Sequence, residues 1–357
     1  MQTIRLSYEL DTDADKSTQT EFENSLIRML DAVDSQQSLQ KAARYLGVSY
    51  RHFWGELLDW EARLGQCLVI REQGKPAKLS PLGKKLLWAE RSVLARNALE
   101  IERIRTELAA AFAEITNPEA TVIRMSGCFD PLLAKLPAFA FPFGFITDLR
   151  FSSSLEGLSD FLKGSCDIAV FAVPKDAERG SIAAEVFAPY LDPETTDVCR
   201  FAVRTQGLAV ARGNPKNLRK LGDVVKRRLR YAGRSPESGT RVLQQTLLKA
   251  GGMKPHLLDS PALVESSAQA VAVAVASGRA DAGLCLEHAA RSFGADFLPM
   301  AEEECFLVWK KRAPLTVLDF VRLLLRPEWR DGAADFAGIN AKRCGDYIDI
   351  RKIFGWW

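Results

Sequence analysis

Histidine is scarce in this chain, three in 357 residues, which leaves little material for an imidazole-based catalytic site and points away from an enzyme. No CxxC pair occurs. The seven cysteines (Cys67, Cys128, Cys166, Cys199, Cys285, Cys305, Cys344) have no close histidine, so a zinc site is not expected and the thiols read as free in a reducing compartment. Long hydrophobic runs are also missing. Without a stretch of about 18 apolar residues no membrane-spanning helix is expected, and Asp11, Asp13 and Asp15 follow Leu10 before an apolar signal core can develop. The expectation is a cytoplasmic protein with no membrane partner and no resident metal or cofactor.

What is there is an uneven distribution of charge. The formal net charge is +3, yet residues 1–37 carry three basic and eight acidic side chains, whereas residues 38–85 carry nine basic and four acidic ones. The basic stretch contains Ser38-Leu-Gln-Lys-Ala-Ala-Arg-Tyr-Leu-Gly-Val-Ser-Tyr-Arg-His-Phe-Trp54. This reads as two short helices around a turn at Gly47, with Ala42, Ala43 and Leu46 facing inward on the first and Ser38 and Ser49 at the helix starts. Phe53, Leu57 and Trp60 then pack inward, which leaves Tyr50, Arg51 and His52 at the exposed start of the second helix. That is the part a helix-turn-helix inserts into the major groove of double-stranded DNA. Residues 67–71 read as a strand, 72–77 as a hairpin loop and 78–80 as the return, a wing that offers Arg71, Lys75 and Lys78 to phosphates. A helix over 21–33 precedes the motif.

Ser80-Pro81 is a helix opening, with Ser as cap and Pro at the first position. The apolar spacing predicts one long helix from there to about 115, ended by Asn117-Pro118, and a helix of that length reads as a dimerising linker. After Pro118 short apolar runs alternate with amphipathic segments, the pattern of an α/β domain with a largely parallel sheet. Strands are expected at 121–125, 145–151, 167–173, 229–232, 280–286 and 305–309, and helices at 155–162, 218–226, 240–250, 269–277 and 315–325. Residues 200–203 and 208–212 flank the polar Arg204-Thr-Gln-Gly207, which reads as a crossing between two lobes. The predicted organisation is a winged helix-turn-helix (1–80), a linker helix (81–117) and a two-lobed α/β domain (118–357). Lobe I takes 118–203 and 284–357, and lobe II takes 204–283.

This order resembles the LysR-type transcriptional regulators. In the N-terminal part the run Ser38 to Tyr50, with Trp54, Leu57 and Leu79-Ser-Pro-Leu-Gly83, is similar to the ModE-type winged helix of molybdate-responsive regulators. Residues 121–310 resemble the periplasmic-binding-protein-like domain attached to such winged helices. The segments that carry this likeness are Gln206-Gly-Leu-Ala-Val-Ala-Arg-Gly-Asn-Pro215, Gly233-Arg-Ser-Pro-Glu-Ser-Gly-Thr-Arg241, Val271-Ala-Val-Ala-Val-Ala-Ser-Gly-Arg-Ala-Asp-Ala-Gly283 and Phe297-Leu-Pro-Met-Ala-Glu302. The resemblance implies a ligand-responsive regulator that assembles as a homodimer or homotetramer, and that engages RNA polymerase if it activates. It further implies a small anionic effector: molybdate, tungstate or formate. ModE itself carries a different, smaller molybdate domain, so its oxyanion site does not transfer. The alternative from another class is a molybdenum or cofactor delivery protein whose winged helix serves dimerisation alone.

Hydroxyls and free N–H groups at helix starts give the candidate anion contacts. Ser235, Ser238, Gly239, Thr240 and Arg241 precede or open a helix, against a plain cap-and-turn reading with Arg241 solvated. Ser126, Gly127 and Cys128 follow the first α/β strand, where open sheets receive ligands; Ser152, Ser153 and Ser154 hold the matching place after the second. Arg204 and Gln206 at the crossing reach a ligand unless they are purely structural, and Ser266 is a weaker candidate. Cys128 lacks the basic partner a nucleophile needs. Glu302-Glu-Glu304 reads as a solvated loop.

Overall fold

The computed structural model describes residues 24–356, apart from Gln73, Asp176 and the side chains of Ala333 and Ala334. The expected helix start at 21–23, the acidic arm and Trp357 lie outside the described residues. The chain divides into two compact units, one ending at Leu94 and one running from Ala95 onward. The expected boundaries, 80/81 and 117/118, bracket that division.

The first unit contains α1 (Ser25–Gln36), α2 (Leu39–Tyr45), α3 (Tyr50–Leu64), the strand pair β1 (Val69–Ile70) and β2 (Lys78–Leu79), and the start of α4 (Pro81–Thr116). Gly47 sits at a φ of 70° between α2 and α3, a left-handed conformation that glycine adopts without Cβ strain. Leu30, Val33, Ala42, Phe53, Leu57, Leu68 and Leu87 form one core. Glu61 of α3 accepts from the backbone N–H groups of Leu68 (2.6 Å) and Val69 (3.2 Å), which fixes the wing to α3. Ser80 opens α4 as expected: its Oγ accepts from Gly83 N–H and donates to the Cys67 carbonyl.

The second unit continues with β3 (Thr121–Cys128), α5 (Pro131–Ala134), α6 (Leu136–Ala140), β4 (Phe145–Ser152), α7 (Ser154–Leu162), β5 (Ile168–Pro174), α8 (Ile182–Phe187) and β6 (Thr196–Val210). Then follow α9 (Leu221–Lys226), β7 (Tyr231–Arg234), α10 (Gly239–Ala250), β8 (Leu263–Glu265), α11 (Ala268–Ala276), β9 (Ala282–Leu286) and α12 (Glu287–Ser292). The chain closes with β10 (Asp296–Lys310), α13 (Leu315–Leu323), α14 (Pro327–Asp331), β11 (Ile339–Asn340), β12 (Tyr347–Ile348) and α15 (Ile350–Phe354). One ten-stranded sheet runs β4-β3-β5-β10-β6-β9-β7-β8, with β11 and β12 also on β6.

The sheet is mixed, not largely parallel. β4-β3-β5 and β9-β7-β8 are parallel triplets, one per lobe, joined by antiparallel β10 and β6. The crossing read at Arg204 to Gly207 is the middle of β6, one strand continuous from one lobe to the other. The return crossing is β10, where a register shift falls between Pro299 and Ala301. Lobe II therefore extends to about residue 300 instead of ending at 283. Cys285, Leu286, Ala289, Ala290 and Ala295 pack with Ala209, Ala232 and Val271 of that lobe. Lobe I is built around Ile123, Leu149, Val170, Phe201, Leu307 and Phe320 on one face of its sheet and Phe161, Phe171, Phe187 and Phe306 on the other.

Candidate functional site

In the first unit the caps form as the sequence predicts: Ser38 Oγ accepts from Lys41 N–H at 3.4 Å and Ser49 Oγ from His52 N–H at 3.2 Å. Both serines are thus committed to helix starts. Tyr50, Arg51 and His52 are exposed at the start of α3. Tyr50 stacks on Trp54, with ring centroids 6.3 Å apart, and the guanidinium of Arg71 lies 3.8 Å from the centroid of the same Trp54 ring. Arg71, expected to reach for phosphate, instead joins wing to helix through a cation–π contact. Lys75 pairs with Glu72, and His52 lies 3.7 Å from Glu56. Arg51 and Lys78 are exposed and have no ion-pair partner among the described residues.

In the second unit a cavity of about 60 Å³ opens between the lobes. By the measure in which one water needs roughly 10–15 Å³, it holds a molecule of a few heavy atoms. Lobe I supplies Cys128, Phe129, Ser152, Ser153, Ser154 and Ala172; lobe II supplies Arg234, Ser238, Gly239, Thr240, Ser267, Ala268, Gln269 and Leu286. The crossing strands supply Arg204, Gln206 and Glu303, and α4 supplies Leu99.

Three helix N-termini converge on this cavity, each capped by a serine that accepts from the backbone N–H of the first turn. Ser153 caps α7 within a capping box completed by Glu156, Ser238 caps α10, and Ser267 caps α11. With hydroxyls spent on the caps, the remaining first-turn N–H groups carry the partial positive charge of each helix start. Ser154 Oγ accepts from Ala172 N–H at 3.3 Å, and so braces α7 against β5. At Gly239 an added Cβ would lie 3.3 Å from the Ala172 carbonyl, so the two lobes approach each other closely there.

The floor is ionic. Arg204 donates to Asp130 at 3.3 Å and to Glu303 at 3.1 Å, and Gln206 Nε2 donates to the same Glu303 oxygen at 2.9 Å and reaches Thr240 Oγ1 at 3.5 Å. Cys128 Sγ lies 3.8 Å from Arg204 and 4.0 Å from Cys305 Sγ. The hydrogen bond with Cys305 lowers the Cys128 thiol to about 7, against the effect of burial and with help from the Arg204 charge.

Several expected contacts fall elsewhere. Ser126, Gly127 and Cys128 belong to β3 and do not open a helix; Asp130 caps the next one. Ser126 donates to Asp160 at 2.9 Å, away from the cavity lining. Gly127 is a packing glycine: a Cβ there would lie 2.1 Å from the Val170 carbonyl. Arg241 is buried under α10, where it donates to Asp259 at 3.0 Å and to the Arg234 carbonyl at 2.6 Å, so it holds the α10 start and does not line the cleft. Ser235 is also outside the lining, and Ser266 directs its hydroxyl to the Arg96 carbonyl of α4 at 2.6 Å. The solvated-loop reading of Glu302 to Glu304 is overturned, since all three lie on β10: Glu302 pairs with Lys175, Glu303 is 1% exposed, and Glu304 pairs with Arg200.

Arg234, Gln269 and Glu303 are cleft residues the sequence reading passed over. Arg234 ends β7, a strand C-terminus where open α/β sheets take ligands, and this position was the available signal. Its Nη2 donates to the Ser266 carbonyl at 2.9 Å, its Nε is shielded without a partner, and no carboxylate pairs with it among the described residues. Burial pushes its guanidinium down to about 10, partly offset by Cys285, Glu303 and Cys128, while the Arg204 charge adds to the fall. Among the described residues no cluster of three or more His, Cys, Asp or Glu side chains is placed to hold a metal ion, and no helix is long and apolar enough to cross a membrane.

Residues 25–84 match the family described as bacterial regulatory helix-turn-helix protein, lysR family, and residues 142–316 match the PBP superfamily domain. The chain is similar to the uncharacterized protein YvgK of Bacillus subtilis (strain 168), 29% identical over 199 residues. That match covers 56% of this chain and 64% of the relative, just under two thirds of its length. Similar solved structures include full-length BenM, at 15% identity and a TM-score of 0.40 over 89% of this chain and 99% of that one. Full-length CbnR complexed with its target DNA is similar at 17% identity and a TM-score of 0.38, over 85% of this chain and 98% of that one. The chain thus carries a LysR-family helix-turn-helix followed by a PBP superfamily domain.

Proposed function

We propose that this regulator senses a small molecule bearing an anionic group, which binds between the lobes of the second unit and alters how the first unit occupies DNA. The observation that carries the reading is the convergence of three serine-capped helix starts and of Arg234, which has no carboxylate partner among the described residues, on one small cavity. Molybdate, tungstate and formate are the candidate anions. A planar carboxylate suits the fork of Arg234, and a tetrahedral oxyanion suits the helix N–H groups.

Helix α4 supplies a route for the signal within the second unit. Ser267, which lines the cavity, donates to the Ala95 carbonyl of α4 at 2.7 Å, and Thr106 of α4 donates to the Leu149 carbonyl of lobe I at 2.8 Å. One helix is therefore tied to both lobes, and a ligand that prefers one lobe angle biases that helix by its difference in affinity for the two states. Val93, Ile104 and Ile115 stay exposed along α4 at eleven-residue spacing, an apolar stripe suited to a second copy of the chain in a homodimer or homotetramer.

Electrophoretic mobility shift on the gene's own upstream DNA, with and without each anion, tests the reading. Retarded DNA whose mobility or affinity responds to an anion supports it. Absence of DNA binding at moderate salt favours a delivery protein instead, and DNA binding that no small molecule alters removes the sensing role.

A further inference from the structure

Eight buried side-chain nitrogen and oxygen atoms lack a hydrogen-bond partner among the described residues, and five of them belong to residues that line the interlobe cleft. Two are donors, Arg204 Nε and Arg234 Nε; three are acceptors, Gln206 Oε1, Gln269 Oε1 and Glu303 Oε1. Buried polar atoms are almost always paired, so such a cluster around one cavity marks the complement of an absent ligand. The amide orientation of Gln206 follows from its neighbours: Nε2 must face the Glu303 carboxylate at 2.9 Å, which leaves Oε1 turned the other way. Glu303 and Gln206 are 1% and 3% exposed, so bulk solvent does not cover their free oxygens.

A fully deprotonated oxyanion offers only acceptors. It satisfies Arg234 and the three helix starts but leaves the acceptor oxygens unmet, and it sets negative charge beside the Glu303 carboxylate. The fixed charges of the cleft are already balanced, Arg204 and Arg234 against Asp130 and Glu303. The ligand that matches has no net charge and has both an acceptor end and a donor end.

We infer that the cleft binds a small zwitterion of the amino-acid type, with its carboxylate on Arg234 and the helix starts and its ammonium on Glu303, Gln206 and Gln269. This rests on the reading of the cleft as an effector site and specifies the chemistry of the effector. A volume of about 60 Å³ admits only a short side chain.

The test is calorimetric titration of the full chain with glycine, L-alanine, L-serine and β-alanine, against acetate, formate, methylammonium and molybdate. The expected result is that at least one zwitterion binds at least about tenfold more tightly than acetate, and that Gln269→Leu removes about tenfold of that affinity while leaving acetate unchanged, as loss of one charged hydrogen bond implies. Glu303→Gln should act in the same direction. Gln269→Leu guards the test, because the Gln269 acceptor oxygen has no partner among the described residues. If acetate, formate or molybdate binds as tightly as every zwitterion and is indifferent to Gln269→Leu, the inference falls and anion sensing stands. If nothing in the panel binds, both fall.

Discussion

Arg204 and Glu303 face each other directly across β6 and β10, and their charges meet at 3.1 Å in the floor of the interlobe cleft. Asp130 takes the other side of the guanidinium at 3.3 Å, so one arginine serves two carboxylates that are each no more than 1% exposed. Removal of one member of a buried ion pair leaves uncompensated charge and costs about 3–5 kcal/mol. Arg204→Met, which strands both carboxylates, is expected to lose at least that much in urea unfolding. Arg204→Lys is expected to recover only part, because a single ammonium cannot reproduce a fork aimed at two acceptors. An Arg204→Met protein as stable as the parent would show that the floor is held by packing alone.

Arg234 behaves in the opposite way. It ends the same cleft with no carboxylate partner among the described residues, and burial lowers its pKa from 12.5 to about 10. A base whose folded pKa lies below its unfolded value releases its proton more readily when folded, so stability attributable to it rises with pH between about 10 and 12.5. At neutral pH the charge is held against that penalty, for the benefit of a ligand. Arg234→Gln is therefore expected to shift the melting temperature by no more than a few degrees, about 1 kcal/mol in a domain of this size, and to abolish ligand-induced stabilisation. Differential scanning fluorimetry reads both; a large loss of stability with ligand response intact would contradict it.

The two units were unequally legible in sequence. Local rules sufficed for the first: a glycine at the turn, serines before the helices and a Pro at the first position of α4 placed every element there to within a few residues. The second unit misled where long-range pairing overrides local chemistry. Arg204, Thr205 and Gln206 look like a polar break, but they are the middle of a 15-residue strand, because their partners lie about 100 positions away on β10. The Glu302 to Glu304 run looks solvated for the same reason. Arg241 stands at a helix start, yet the cleft arginine is Arg234, and only the tertiary position of Asp259 decides which of the two is satisfied internally. Trp356 stacks on Phe354 and donates to the Ala177 carbonyl at 2.7 Å, a contact 179 positions away in the chain.

Cys128 offers a pH readout of the same floor. Its thiol is lowered from 9.0 to about 7, chiefly by the hydrogen bond with Cys305, whereas burial pushes Cys166, Cys285 and Cys344 up to about 12. An acid whose folded pKa is depressed adds stability that is present in full above about pH 9 and lost as pH falls through 7. Cys128→Ser should flatten the stability profile across that window. Site-resolved alkylation followed by mass spectrometry should find Cys128 modified with a midpoint near neutrality while those three buried thiols stay protected; equal labelling of all four would disprove the assignment.

On the DNA side, the stacking of Arg71 on Trp54 separates three basic residues that the sequence treats alike. Arg51 and Lys78 are exposed and free of ion pairs among the described residues, whereas Arg71 is already engaged 3.8 Å from an aromatic ring. Arg51→Ala, at the start of α3, is expected to weaken specific binding by about tenfold, the effect of losing a base-edge contact of about 1–3 kcal/mol. Lys78→Ala should weaken specific and nonspecific DNA about equally and reduce the slope of log affinity against log salt by about 1, the signature of a lost phosphate contact. Arg71→Ala should leave that slope unchanged and instead lower the melting temperature of the first unit, since the wing loses its anchor on α3. Salt-series fluorescence anisotropy on one operator duplex and one scrambled duplex discriminates the three, and a reduced slope for Arg71→Ala would mean that this side chain leaves Trp54 to contact phosphate.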